Sequence, residues 1–183
     1  TWRKPDRELA YKAEFDLLLQ ARRLIREPSV IMCEYKSQIG FLLPGFLQYG
    51  YVPTWRRRGI SETSRDDVIR FYDAEILDSE IWDILKRHNC AYVIVARDRM
   101  PRFVWAADPL LSSVYANDAY VLLKVAPASA DHPLIRANTA FKNARWRQAL
   151  AAYQQAEAEA PLAADPCLVR ILAICNCAAR GAS

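Results

Sequence analysis

His88 and Cys90 stand two residues apart in "ILKRHNCAYVIVARDR", and they are the residue types of a thiol nucleophile beside a base, or of two metal ligands. A metal centre needs at least three protein ligands that converge, and the other histidine, His132, lies in an Ala/Pro/Asp stretch far along the chain. The simpler reading is a helix end followed by a small apolar residue opening a strand.

A second set of candidates follows two apolar runs. Glu34, Tyr35, Lys36 and Ser37 come after "SVIMC", and Arg97, Asp98 and Arg99 come after "CAYVIVA". Open α/β sheets bind ligands in the crevice beyond the carboxyl ends of their strands, where these residues would stand. The same residues would serve equally as solvated turns and surface ion pairs.

A third candidate is the basic run Arg56, Arg57 and Arg58 after Trp55, which could rest on a membrane interface or hold phosphate groups. In an extended segment alternate side chains leave on opposite faces, so Arg57 would part from Arg56 and Arg58. Ordinary surface charge accounts for the run as well.

Other chemistry is disfavoured. The chain has five glycines and shows no G-x-G-x-x-G after its first strand, no Walker-type loop and no G-x-S-x-G elbow, so backbone cradling of a nucleotide is not expected. No metal and no cofactor are expected, and no stacking platform or reader motif points to nucleic acid.

The elements that must position these residues follow from hydrophobic periodicity. After a cap at Asp6, the residues Ala10, Leu17, Leu18, Ala21, Leu24 and Ile25 recur at helical spacing until Pro28. "SVIMCEY" has the composition of a strand buried on both faces, and "KSQIGFLLPGFLQYG" has the length of a crossover helix. "YVPTW" could be an edge strand, since Pro53 cannot donate to a ladder.

Ser64 and Asp67 resemble a capping box opening "RDDVIRFYDAE", and Asp78 or Ser79 caps the next helix with Ile81, Ile84 and Leu85 inward. Lys86, Arg87 and His88 suit the negative end of that helix, and Asn89 suits the left-handed residue that closes it. "CAYVIVA" is a second buried strand. "RFVWAADP", "SSVYANDAY" and "AYVLLKVA" are extended, the last two forming an antiparallel hairpin around Asn117-Asp118.

This alternation predicts an α/β fold: a three-layer, Rossmann-like sandwich with a mainly parallel sheet and an antiparallel edge over residues 1–127. "APASADHP", Ala126 to Pro133, is a linker by composition, assigned to residues 128–133. From Leu134 the chain is alanine-rich without strand-like runs. There Trp146, Ala149, Tyr153, Ala156 and Pro161 fall on the aromatic, small, aromatic, small and proline positions of a tetratricopeptide-repeat (TPR) helix. Residues 134–183 are therefore expected to form a TPR-like helical hairpin, with "PCLVRILAICNCAARG" as the next, capping helix.

Composition sets the outer limits. With 183 residues, 52% of them hydrophobic, the chain can fill one substantial core plus a small accessory unit. A net charge of +4 with 25% charged residues permits contact with phosphate or anionic lipid without requiring it. Five cysteines, an odd number without a C-x-x-C pair, do not form a disulfide framework. "IGFLLPGFLQYGYV" is too short to span a bilayer. The opening "TWRKPDREL" has neither a starting Met nor a leader, and reads as a piece of something longer.

The order of elements, and above all a helix ending in a polar turn followed by "YVIV" and then "VYANDAYVLLKV", resembles the soluble tail of bacterial polytopic membrane proteins of the C-type glycosyltransferase superfamily. The resemblance covers roughly residues 7 to 125, with Asn89-Cys90 where such tails commonly have Gly-Val. It implies a membrane-anchored, extracytoplasmic domain that is not catalytic by itself, because the catalytic acids of that superfamily lie in loops near transmembrane helices. The partners implied are a parent transmembrane domain and a glycan or polyprenyl-phosphate-linked sugar, with a role in acceptor handling. A soluble adaptor that binds a protein partner through residues 134–183 is the alternative.

Overall fold

The computed structural model describes residues 11–34, 39, 62–100, 110–159, 174–175 and 177–178. The expected Asp6 cap, the crossover helix apart from Ile39, the "YVPTW" strand and "RFVWAADP" lie outside these residues. So does the capping helix from Pro166, apart from Ile174, Cys175, Cys177 and Ala178, which are helical.

Helix α1 spans Lys12–Leu24 and buries Leu17, Leu18 and Ala21, three residues at the spacing that places side chains on one helical face. Leu24, expected on that stripe, is 48% exposed. Ile25 has already left helical geometry, at ψ 97°, and takes the buried position instead. Strand β1 follows at Val30–Cys33.

Helix α2 runs Glu62–Asp73, so Ser64 and Asp67 lie inside it rather than at its opening. Asp67 is instead buried on the inward stripe beside Val68 and Phe71. It stays there because polar partners meet it: the Arg87 guanidinium donates from Nη1 to its two oxygens at 2.9 and 2.7 Å, and His88 Nε2 lies 2.9 Å from Oδ2. A buried carboxylate without such partners would be strongly unfavourable.

Helix α3, Ser79–Arg87, starts as the sequence predicts. Asp78 is extended, and its carboxylate accepts from the Ile81 amide at 2.9 Å, satisfying one of the orphan donors of the first turn. Asp78 also pairs with Lys142. Replacing Asp78 with Ala is expected to cost about 1–2 kcal/mol, read as a lowered urea midpoint at unchanged m-value. The helix closes on His88, and Asn89 takes φ 50°, the left-handed conformation that asparagine tolerates better than most residues.

Strand β2, Cys90–Ala96, pairs in parallel with β1. The hairpin of β3, Leu111–Ala116, and β4, Tyr120–Val125, turns at Asn117, as predicted. Asn117 Oδ1 accepts from the amides of Ala119 and Tyr120 at 3.0 and 2.9 Å, which fixes the turn.

The sheet order is β1-β2-β4-β3. β2 pairs with β4 and β4 with β3, both antiparallel, so the described sheet is an open, mostly antiparallel one with a single parallel pair. The expected mainly parallel sheet is thereby corrected. Alternating helices and strands suggested repeated crossovers, but β3 and β4 form a hairpin, antiparallel by its connection, and it is β4 of that hairpin that lies against β2, again antiparallel.

Alternate residues of the strands divide between two apolar clusters, as the two-residue period requires. Ile31, Cys33, Ile94 and Leu122 face α1 with Leu17, Leu18, Ala21 and Ile25. Met32, Val93, Val95, Val121 and Leu123 face Val68, Phe71, Ile81, Trp82 and Leu85 of α2 and α3. Among the described residues no helix is long and apolar enough to cross a membrane.

Helices α4, Pro133–Lys142, and α5, Trp146–Glu159, form a helical hairpin whose Leu134, Ile135, Ala137, Ala149, Tyr153 and Ala156 belong to the larger of these clusters. Polar bonds tie α4 to the region before α3. Asn138 Nδ2 donates to the Leu77 carbonyl at 2.9 Å and Asn138 Oδ1 accepts from the Tyr153 hydroxyl at 2.6 Å, while Thr139 Oγ1 accepts from the Ser79 amide at 2.9 Å.

Candidate functional site

Where β1 and β2 end, on the α1 side of the sheet, a cavity of about 220 Å³ opens. Its wall includes Cys33 and Glu34 from the end of β1, Ala96, Asp98 and Arg99 from the end of β2, and Tyr120 at the start of β4. The parallel pairing of β1 with β2 produces this arrangement, because it brings both carboxyl ends to the same edge.

Glu34 and Arg99 form an ion pair across the cavity wall. Tyr120 donates its hydroxyl hydrogen to Glu14 Oε1 at 2.8 Å. Burial, then that hydrogen bond, then the charges of Glu14 and Asp98 push its ionisation well above the ordinary tyrosine range. Tyr120 is therefore a neutral phenol at any physiological pH. Glu14 is 6% exposed, and its Oε2 is the one buried side-chain polar atom without a hydrogen-bond partner among the described residues.

A polar seam continues along α1. Asp16 accepts from the Tyr115 hydroxyl at 2.5 Å and from Asn117 Nδ2 at 3.2 Å, and Asn117 Nδ2 also reaches the Ala13 carbonyl at 2.8 Å. The Tyr115 bond first, then the Asn117 bond, hold the Asp16 carboxyl below its ordinary value.

Of the residues singled out from sequence, Glu34 and Asp98 share this cavity. Arg97 is exposed beside it, its amide donating to the Ala119 carbonyl at 2.7 Å. Tyr35, Lys36, Ser37 and the patch Arg56, Arg57 and Arg58 lie outside the described residues. Arg99, at the same strand end as Asp98, shares the cavity as well, whereas Tyr120 and Glu14 were not among the sequence candidates. Glu14 did leave a signal, an acidic residue at i−3 and i−4 from Leu17 and Leu18 on the apolar stripe of its helix.

His88 and Cys90 do not meet as a catalytic pair. His88 is engaged by Asp67, whereas Cys90 is buried in the larger cluster, and burial pushes its thiol up to about 12. A thiol held protonated is a poor nucleophile. No cluster of three metal-ligating side chains occurs among the described residues. No disulfide joins the described cysteines Cys33, Cys90, Cys175 and Cys177.

Tyr120 is what holds Glu14 in place chemically, so Tyr120→Phe should leave both Glu14 oxygens buried without a donor. The expected cost is about 1–3 kcal/mol, the price of an unmade hydrogen bond to a buried acceptor, and chemical denaturation measures it.

The structure defines a mixed α/β chain with a four-stranded open sheet, a polar strand-end cavity and a helical hairpin packed in the same apolar cluster as one sheet face. No protein-family model matches it, and neither does any curated protein or solved structure.

Proposed function

We propose that this chain is the non-catalytic, extracytoplasmic part of an integral membrane protein of the C-type glycosyltransferase kind, and that its strand-end cavity handles an acceptor glycan. In this reading the α/β part is a three-layer, Rossmann-like sandwich, the helical hairpin is TPR-like, and the parent transmembrane domain carries the chemistry.

One observation carries the binding role. On the cavity wall Glu34 is paired with Arg99, Tyr120 is a neutral phenol hydrogen-bonded to Glu14, and Asp98 adds an exposed carboxylate. That leaves a concave polar wall with hydrogen-bonding capacity and no activated nucleophile. Such a wall suits an uncharged, hydroxyl-rich ligand, which needs fixed donors and acceptors rather than net charge.

Titration of the isotope-labelled chain with neutral oligosaccharides should shift the amides of Glu34, Asp98, Arg99 and Tyr120, and Glu34→Ala with Asp98→Ala should weaken binding at least tenfold. Unchanged spectra across a panel of such sugars would sink the glycan role. The membrane part of the proposal has its own test. The coding sequence ahead of Thr1 should encode several apolar segments of about 20 residues.

A second reading, a soluble adaptor that binds a protein through residues 134–183, draws on the helical hairpin. Phe141 and Trp146 meet edge to face at 5.3 Å and are only partly buried, as an aromatic anchor for a partner would be. Under this reading Trp146→Ala abolishes partner capture and the cavity variants leave it intact.

A further inference from the structure

We propose that the strand-end cavity recognises an amino sugar, with the protonated amine of the ligand seated against Tyr120 and Asp98. The inference rests on the glycan reading and narrows it: the ligand keeps a hydroxyl-rich body, and one of its substituents is an ammonium group.

The charge around the cavity is unequal. Glu34 and Asp98 line it, and Glu14 stands behind the Tyr120 hydroxyl, at 2.8 Å. Against these three carboxylates the lining holds one basic residue among those described, Arg99, and Arg99 is engaged by Glu34. Arg97, the neighbour of Asp98, is exposed and off the lining. Among the described residues, Glu14 and Asp98 have no cation paired with them.

These two carboxylates act on one phenol. Burial raises the Tyr120 hydroxyl most, its hydrogen bond to Glu14 next, and the charges of Glu14 and Asp98 add to the rise. Both therefore lie within electrostatic reach of the same hydroxyl, although they come from different elements, Glu14 from α1 and Asp98 from the turn after β2.

Hydrogen-bond counting points the same way. Tyr120 donates its hydrogen to Glu14, so its oxygen offers a ligand only lone pairs. Asp98, as a carboxylate, offers only acceptors. Glu14 is 6% exposed, and its Oε2 has no donor. A sugar hydroxyl brings one hydrogen to such a corner, whereas a protonated amine brings three and a positive charge. That charge also offsets the buried Glu14, whose second oxygen no side chain serves. The chain as a whole, at +4, gives no general attraction for a cation, so the preference reports the local field.

The experiment uses the intact chain with methyl glucosaminide, methyl N-acetylglucosaminide and methyl glucoside, which carry ammonium, acetamide and hydroxyl at the same ring carbon. Amide chemical shifts are followed at a pH where the amine is protonated. The glucosaminide should move the amides of Asp98, Arg99 and Tyr120, and bind at least tenfold more tightly than either neutral ring. Glu14→Gln keeps an acceptor for Tyr120 and removes the charge, and should cut that preference about tenfold. Asp98→Asn, on an exposed turn, should cut it severalfold.

Equal affinity for the three rings would overturn the inference and leave the glycan reading standing, whereas silence with all three would overturn both. An ammonium preference that survives both substitutions, or shifts spread over the whole surface, would also overturn it. The three-ring comparison on the unmodified chain and on Asp98→Asn decides the matter even if Glu14→Gln fails to fold.

Discussion

Trp82→Ala should destabilise the chain by about 3–5 kcal/mol, a large share of the stability of a domain this size. Trp82 is 1% exposed and is among the largest fully buried side chains described. It belongs to the cluster that joins α2 and α3 to one face of the sheet and to the helical hairpin. Its loss removes apolar contact from all of these and leaves a void that close-packed neighbours fill only in part.

The indole also holds the Ala128 carbonyl, so the segment between β4 and α4 loses its tie to α3. Urea unfolding followed by far-ultraviolet circular dichroism measures the effect. Trp82→Phe, which keeps most of the volume but not the N–H, should recover more than half of the loss. A Trp82→Ala variant within 1 kcal/mol of the parent chain would show that the cluster is not the stabilising centre described here.

The second large effect is alkaline unfolding. Burial raises the Cys90 thiol from an ordinary 9.0 to about 12, and it raises the Tyr72 hydroxyl well above 10.0. Each group is protonated more readily in the folded chain than in the unfolded one. Their contribution to stability is therefore complete below the unfolded values and declines as pH climbs past them, because the unfolded chain can release the proton and the folded chain cannot.

Stability should hold steady up to about pH 9 and fall steeply toward pH 12, with Cys90 alone accounting for a loss on the order of 4 kcal/mol at the upper end. Tyr72 adds to it, its hydroxyl 2.6 Å from the Ile94 carbonyl and 3.3 Å from that of Met32 between β1 and β2. Urea midpoints at a series of pH values should trace this fall, and Cys90→Ala should flatten its first part. A chain as stable at pH 11.5 as at pH 8 would contradict the burial of these groups.

Asp16 works in the opposite direction. Its carboxyl is held below the ordinary 3.8, so its contribution is present above that value and is lost as pH falls through the lower, folded one. Asp16→Asn should remove that part of the acid sensitivity.

Much of the local structure could be read from the chain. The α3 cap at Asp78, its cationic last turn, the left-handed Asn89 and the buried strand after it all follow from short-range rules, because each depends on residues within a turn or two of one another. The Asn117 turn is of the same kind. The strand-end location of the cavity was legible too, since a parallel strand pair brings two carboxyl ends together wherever it occurs.

What failed depended on partners far away. Asp67 looked like a cap, yet its position is set by Arg87 and His88, twenty and twenty-one residues on. The sheet looked mainly parallel, but strand direction is decided by which edge the β3–β4 hairpin joins, and no local pattern encodes an edge.

By itself, then, the amino-acid sequence determined most of the described helices and strands, the cap of α3 and the alternation that sends Ile94 to one face and Val93 and Val95 to the other. These follow from backbone periodicity and from side chains acting within a few residues. Only the tertiary structure decided the strand order, and the meeting of Glu34 with Arg99, of Tyr120 with Glu14 and of Asp67 with Arg87. Those juxtapositions join residues from different elements, and the collective packing of two apolar clusters against one sheet is what selects them.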